Sequence, residues 1–174
     1  MAKTERMKSS AGFGPIAGAD ASILILGSLP GQKSLLAGQY YAHRQNAFWR
    51  IMAKVFGVEG DYSERCRQLI ASRVAVWDVL ASSVRAGSMD VDIQIKTAQA
   101  NDFAGFLSNH PQIERIGFNG QKAEQLFRKL VVPEYKGLMP ELVSLPSTSP
   151  AYAAISFHRK LKIWNNMLLV DTWN

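Results

Sequence analysis

Four short apolar runs of strand type set the frame of this chain: "SILILG" at 22–27, "VAVWDVL" at 74–80, "IERIGFN" at 113–119 and "ELVSLP" at 141–146. Stretches with helical periodicity separate them, at 46–57, 63–72, 101–110, 121–130 and 153–170. A strand apolar at successive positions has no face left for water and needs cover on both sides. Alternating strands and helices supply that cover, so the pattern predicts an α/β fold with a parallel sheet between helices. In such sheets the site lies outside the carboxyl ends of the strands. Here those ends lead into loops at Gly27, Asp78, Asn119 and Ser147. At 174 residues the chain suits one well-buried core, hence a single domain over 1–174, with residues 1–12 as a flexible tail.

The first loop, "GSLPGQKS" at 27–34, approaches the phosphate-cradling pattern G-x-x-x-x-G-K-[ST]. Lys33 and Ser34 stand at the right distance from Gly27, but the second glycine falls one place early, at Gly31, behind Pro30. A cradle of backbone N–H groups has no use for a proline, which has none to give. A nucleoside-triphosphatase with Asp78 as magnesium ligand is therefore a rival reading.

Twenty Lys and Arg against fourteen Asp and Glu leave a net charge of +6, which suits a polyanion as partner. The one cysteine, Cys66, cannot build an internal disulfide or a metal cage. That predicts a reducing, cytoplasmic setting and chemistry without metal or cofactor. No apolar segment approaches the length of a membrane span.

The stretch "GQYYAHRQNAFW" at 38–49 places two tyrosines, a histidine, an arginine and an asparagine before an amphipathic helix. Aromatics interleaved with amides suit a pocket for a flat heterocycle, which offers a π-face to stack on and an edge to hydrogen-bond. The same residues also fit a hydrophobic staple with Asn46 as helix N-cap. Likewise Ser147, Thr148 and Ser149, in "LPSTSPAYA" at 145–153, either receive an anion at a helix N-terminus or only cap it.

Taken in order, "GSLPG", "YYAHRQNAFW", "WDVLASSVR" and "STSPAYA" resemble the motifs of the uracil-DNA glycosylase superfamily, and most nearly its hypoxanthine-DNA (deoxyinosine) glycosylase branch, close to the mismatch-specific uracil glycosylases. The resemblance implies a three-layer α/β/α sandwich around a four-stranded parallel sheet. It also implies a monofunctional enzyme, acting as a monomer, that hydrolyses the N-glycosidic bond of a deaminated base in DNA for base excision repair. Relatives place a catalytic asparagine at the third position of the first motif, where this chain has Leu29. By the same resemblance Asn46 takes over the water, with Ser28 and His43 beside it. Tyr41 becomes the stacking ring, with Gly27 and Phe118 bordering the base, although a phenylalanine at the end of a strand is more often core than platform. Asp78 stands where relatives present an asparagine to the base edge; it either reads that edge or turns away to brace a loop. Gly31, Ser147, Thr148 and Ser149 would meet phosphates, and Tyr152 would wedge into the vacated stack, rimmed by Arg44, Arg159, Lys160 and Lys162. A second rival is a DNA-binding member of the fold that lost its chemistry with Leu29.

Overall fold

The computed structural model describes residues 9–169. Its strands are β1 (Ser9–Ala11), β2 (Ile23–Gly27), β3 (Val74–Asp78), β4 (Leu80–Val84), β5 (Gln99–Ala100), β6 (Arg115–Asn119) and β7 (Glu141–Leu145). Its helices are α1 (Gln32–Ala37), α2 (Phe48–Phe56), α3 (Tyr62–Ala71), α4 (Phe103–Asn109), α5 (Gln121–Leu130) and α6 (Phe157–Leu169). Two 3-10 segments, Asp90–Asp92 and Ile95–Thr97, lie between β4 and β5.

The four apolar runs form one parallel sheet in the order β3-β2-β6-β7. Every residue of β2 and β3 is buried, as strands without a polar face require. On one side Trp77 packs against Phe103 and Phe106 of α4, and Phe118 packs against Phe127 of α5. On the other, the Phe48 ring of α2 meets Trp164 of α6 edge-on at 6.1 Å. There Gly117 lets α6 come close, because a Cβ at that position would collide with Met167. Helices on both faces make the α/β/α sandwich that the sequence pattern and the resemblance lead one to expect.

The run at 74–80 does not stay in one sheet. β3 ends at Asp78, and the chain passes into β4, which pairs antiparallel with β1 and β5 in a second, three-stranded sheet. Ser9–Ala11 lies opposite Val84, Ser83 and Ser82, so the flexible-tail expectation is corrected for these residues: a strand edge binds them. Gly12 is held too, its N donating to Ala81 O at 2.8 Å, and the rest of that expectation, 1–8, lies outside the described residues. The last helix starts at Phe157 rather than 153, because Ser156 acts as its cap: the Ser156 Oγ accepts from Arg159 N at 3.3 Å. The segment 147–156 is thereby left as loop at the carboxyl end of the sheet.

Candidate active site

The carboxyl ends of β2, β3 and β6 open, with the loop after β7, into one cavity of about 600 Å³. Parallel register sets Gly27 directly beside Asp78. A Cβ on Gly27 would collide with Asp78 Oδ1 and lie 3.3 Å from the Tyr41 hydroxyl; only glycine lets these two groups converge. Asp78 is buried at 4% exposure, lines the cavity, and its Oδ2 has no hydrogen-bond partner. Burial, with the Asp90 carboxylate adding to it and Arg85 opposing, pushes the Asp78 carboxyl up to about 7.

Tyr41 adopts a left-handed backbone, φ 55°, which is costly for a bulky residue and kept only where the surroundings enforce it. Its ring stacks on Phe48 at 4.1 Å and lines the cavity, so one face is held by the core while the residue borders the open space. Its buried hydroxyl lacks a hydrogen-bond partner; the Asn119 amide stands near without meeting hydrogen-bond geometry. Burial and then Asp78 raise that hydroxyl well above the ordinary tyrosine range, with Asn119 opposing. Tyr40 is core, 3% exposed, its hydroxyl donating to Gly14 O at 3.0 Å.

Asn46 lies one residue before Ala47, the N-cap of α2, which corrects the N-cap expectation, yet its side chain still ties down the helix start. Its Oδ1 accepts from Phe48 N at 2.9 Å, satisfying a free donor of α2, and the residue also lines the cavity. A carbonyl oxygen has two acceptor sites, so this bond fixes the amide and leaves the second site. His43 Nδ1 accepts from Gln45 N at 3.1 Å; the neutral ring therefore carries its proton on Nε2. Ser28 Oγ donates to Asp90 Oδ1.

Around the rim, Asn119 and Thr148 clasp each other: Asn119 Nδ2 donates to Thr148 Oγ1 at 2.8 Å and Thr148 N donates to Asn119 Oδ1 at 2.8 Å. Thr148 is 1% exposed and its carbonyl accepts from Ala47 N at 2.9 Å. It is a clamp holding the 147–152 loop to β6 and α2, which corrects its assignment as a phosphate ligand. Ser147 Oγ accepts from Ser149 N and Ser149 Oγ from Ala151 N, each at 3.2 Å, so both hydroxyls shape the turn while remaining on the cavity wall. Gly31, on the same wall, opens α1. Tyr152 is 39% exposed at the mouth. Its carbonyl accepts from Lys160 Nζ at 2.6 Å, and Lys160 is buried, which moves that residue from the basic rim to a brace of the loop.

Phe118 requires a correction as well. It is fully buried against Phe127 because strand alternation aims it at the α5 layer, away from the cavity. The triphosphate reading fails on the same geometry. Gln32 N donates to Ser88 Oγ, Arg85 donates to the carbonyls of Leu29 and Pro30, and the cavity wall carries two carboxyls, Asp78 and Asp90, a surrounding that repels a triphosphate.

Asp90, Met89 and Val91 line the cavity, and sequence reasoning passed them over. "GSMDVD" at 87–92 reads as an exposed loop, and nothing local says that Asp90 meets a serine 62 residues away. Arg85, 6% exposed, is the other residue missed. A buried arginine behind a loop leaves no periodic signal.

The carboxyl ends of the sheet meet a stacking ring, an asparagine amide held by a backbone N–H, and a flanking loop around one cavity, which suits a flat heterocycle. The family model of the uracil DNA glycosylase superfamily matches residues 13–168, and the chain belongs to that superfamily. It is 34% identical over 152 residues, 86% of this chain and 92% of the relative, to a hypoxanthine DNA glycosylase of Methanosarcina acetivorans. It is 35% identical over 115 residues, 64% of this chain and 72% of the relative, to a hypoxanthine DNA glycosylase of Methanosarcina barkeri. A solution NMR structure of a candidate uracil DNA glycosylase from Methanosarcina acetivorans superposes with a TM-score of 0.72 at 30% identity, over 92% of this chain and 99% of that one.

Proposed function

We propose that this chain is a monofunctional DNA glycosylase that removes hypoxanthine from DNA by hydrolysis, the first step of base excision repair. The observation that carries this reading is the cavity itself, in which a half-buried tyrosine ring, an asparagine amide fixed by a backbone N–H and two carboxyls surround space for one base. Flipping a nucleotide costs a few kcal/mol, least for a mispaired base, and stacking on Tyr41 returns about 1–3 kcal/mol. Cleavage leaves positive charge on the sugar and negative charge on the base. Asn46 Oδ1 accepts a hydrogen bond from the attacking water and orients it, Ser28 and His43 stand beside it, Gly27 makes room, the proton the water loses ends on the departing base, and no amine forms a covalent adduct. Gly31, Ser147 and Ser149 face the DNA backbone, and Tyr152 fills the gap left in the stack. The net charge of +6 supports phosphate contacts outside an acidic base pocket. One chain builds the whole cavity, which supports action as a monomer, and a lone Cys66 supports the reducing cytoplasm. Among the described residues no helix is long and apolar enough to cross a membrane.

The test uses duplexes carrying one modified base each, followed by alkali to reveal abasic sites. Hypoxanthine strands are cleaved by the wild-type protein. Asn46→Ala lowers the single-turnover rate by about 10²–10³. Asn46→Ser keeps a side-chain oxygen for Phe48 N but is too short to reach the same water; a stable, fully active Ser variant sinks the role given to Asn46. Inosine-containing duplex that is bound but left intact sinks the enzyme reading in favour of a non-catalytic DNA-binding member.

A further inference from the structure

Two carboxyls on the cavity wall come from distant parts of the chain. Asp78 ends β3, where the parallel register fixes it beside Gly27. Asp90 belongs to the segment between β4 and β5, which leaves the main sheet, crosses the cavity and returns. The two are unequal. Asp90 accepts a hydrogen bond from the Ser28 hydroxyl and so serves there as an acceptor, with the Arg85 guanidinium close enough to feel its charge. Asp78 is buried with Oδ2 unpaired, and an anion beside a buried carboxyl favours the form that keeps its proton. Asp78 thus stands as a donor next to an acceptor, Asp90.

We propose that Asp90 and Asp78 together read the edge of the flipped base, Asp90 accepting a ring N–H and Asp78 donating to the adjacent carbonyl oxygen. This rests on the cavity being a base pocket, and it names the substrate class. Deamination converts an edge with a ring-nitrogen acceptor and an amino donor into one with a ring N–H and a carbonyl. Adenine presents the first and hypoxanthine the second. A carboxylate beside a carboxylic acid matches the second and opposes the first, so the pair detects the deamination itself. Guanine and thymine share the N–H and carbonyl pattern, but their normal pairing keeps them in the stack.

The structural neighbours of Asp78 support the assignment. The groups that act on it are Asp90 and Arg85, and it in turn acts on the hydroxyls of Tyr40 and Tyr41; Lys33 and His43 line the same cavity. Of these Arg85 is the cation that acts on Asp78, and it is engaged with the carbonyls of Leu29 and Pro30. Its charge favours ionisation, and burial together with Asp90 outweighs it, with the Asp78 carboxyl at about 7.

The test pairs the protein edge with the base edge. Single-turnover cleavage is measured on identical duplexes carrying hypoxanthine or N1-methylhypoxanthine, which has no N–H to give. Wild type loses about 10²-fold on the methylated base, Asp90→Ala loses about 10²-fold on hypoxanthine, and the two losses do not multiply when combined. Asp90→Asn keeps an oxygen for Ser28 and therefore keeps the loop. Its amide N–H₂ faces the base N–H, so it is as slow as Asp90→Ala. In wild type the rate on hypoxanthine falls as pH rises through about 7, and Asp78→Asn, whose amide donates at every pH, lacks that limb. A wild-type rate in Asp90→Asn, losses that multiply, or a pH limb that survives Asp78→Asn overturns the pair. No cleavage of hypoxanthine by the wild-type protein overturns the glycosylase reading along with it.

Discussion

The main sheet and the 79–101 excursion build the same cavity by opposite means. The sheet supplies Gly27, Asp78 and Asn119 from strand ends whose positions follow from register, and its strands are held by apolar packing, with Leu24, Ile25, Leu26 and Val76 wholly buried. The excursion enters the core at Val79, Leu80 and Ile93, but the stretch that supplies Asp90, 86–92, buries no side chain. It is held by discrete polar bonds: Ser28 to Asp90, Arg85 to Leu29 and Pro30, and Gln32 N to Ser88 Oγ. Packing is cooperative and spread over many residues, whereas a polar clasp is local and can be lost singly. The first region should therefore set the stability of the protein, and the second the competence of its site.

The largest effect falls in the sheet. Ile25→Ala, in the central strand, removes side-chain atoms with no exposure and costs about 2–5 kcal/mol of unfolding free energy in denaturant titrations. The fraction that stays folded cleaves at close to the wild-type rate. A loss below about 1 kcal/mol would mean that the sheet is not where stability resides.

Asp78 is where the two regions meet, and its removal changes stability with pH. The folded carboxyl holds its proton up to about 7 while an unfolded Asp gives it up near 4. Stability from this group is therefore fully present below about 4 and declines as pH rises through about 7. Asp78→Asn removes the dependence. In melts at pH 8 the variant is more stable than wild type by up to a few kcal/mol, and near pH 4 the two converge.

Arg85→Met asks the converse question in the excursion. It deprives the Leu29 and Pro30 carbonyls of their donor and Asp90 of its cation, at about 1–3 kcal/mol, while the sheet is untouched. Cleavage of hypoxanthine drops by more than the stability loss explains, at least tenfold in single turnover with the protein fully folded. Equal falls in both would make Arg85 a simple core residue.

How much was legible follows the same division. Strands 22–27 and 113–119 and the helices at 63–72 and 121–130 could be read because burial on two faces or one writes itself into residue period. Gly27, Tyr41, Asn46 and Asp78 could be placed because strand ends and loop starts are set by those elements. Phe118 was misassigned because a strand end does not say which face its last side chains take. Thr148 was misassigned because a hydroxyl that clasps a neighbour and one that binds an anion look alike in sequence. Asp90 and Arg85 were unreadable for a stronger reason: each acts through a partner 55 to 62 residues away, and neither sits in a stretch of apolar period.

The smallest effect tests whether the excursion opens on its own. Thr97 Oγ1 accepts from Val84 N at 2.9 Å and donates to Gln94 O at 2.8 Å, closing the loop that returns the chain from Asp90 to β5. Thr97→Val keeps the shape and removes these bonds together with that to the Ser83 hydroxyl, at about 1 kcal/mol. If the polar clasp is a separate unit, that cost is local: amide hydrogen exchange at Val84 and Gln94 speeds up by about fivefold while Ile25 and Val76 stay unchanged. The cleavage rate then falls by no more than the same factor, since Asp90 is withdrawn only while the loop is open. Exchange that accelerates equally at Val76 would show the two regions opening together. The excursion would then be part of the cooperative core despite its polar fastening, and the contrast between the two regions would fail.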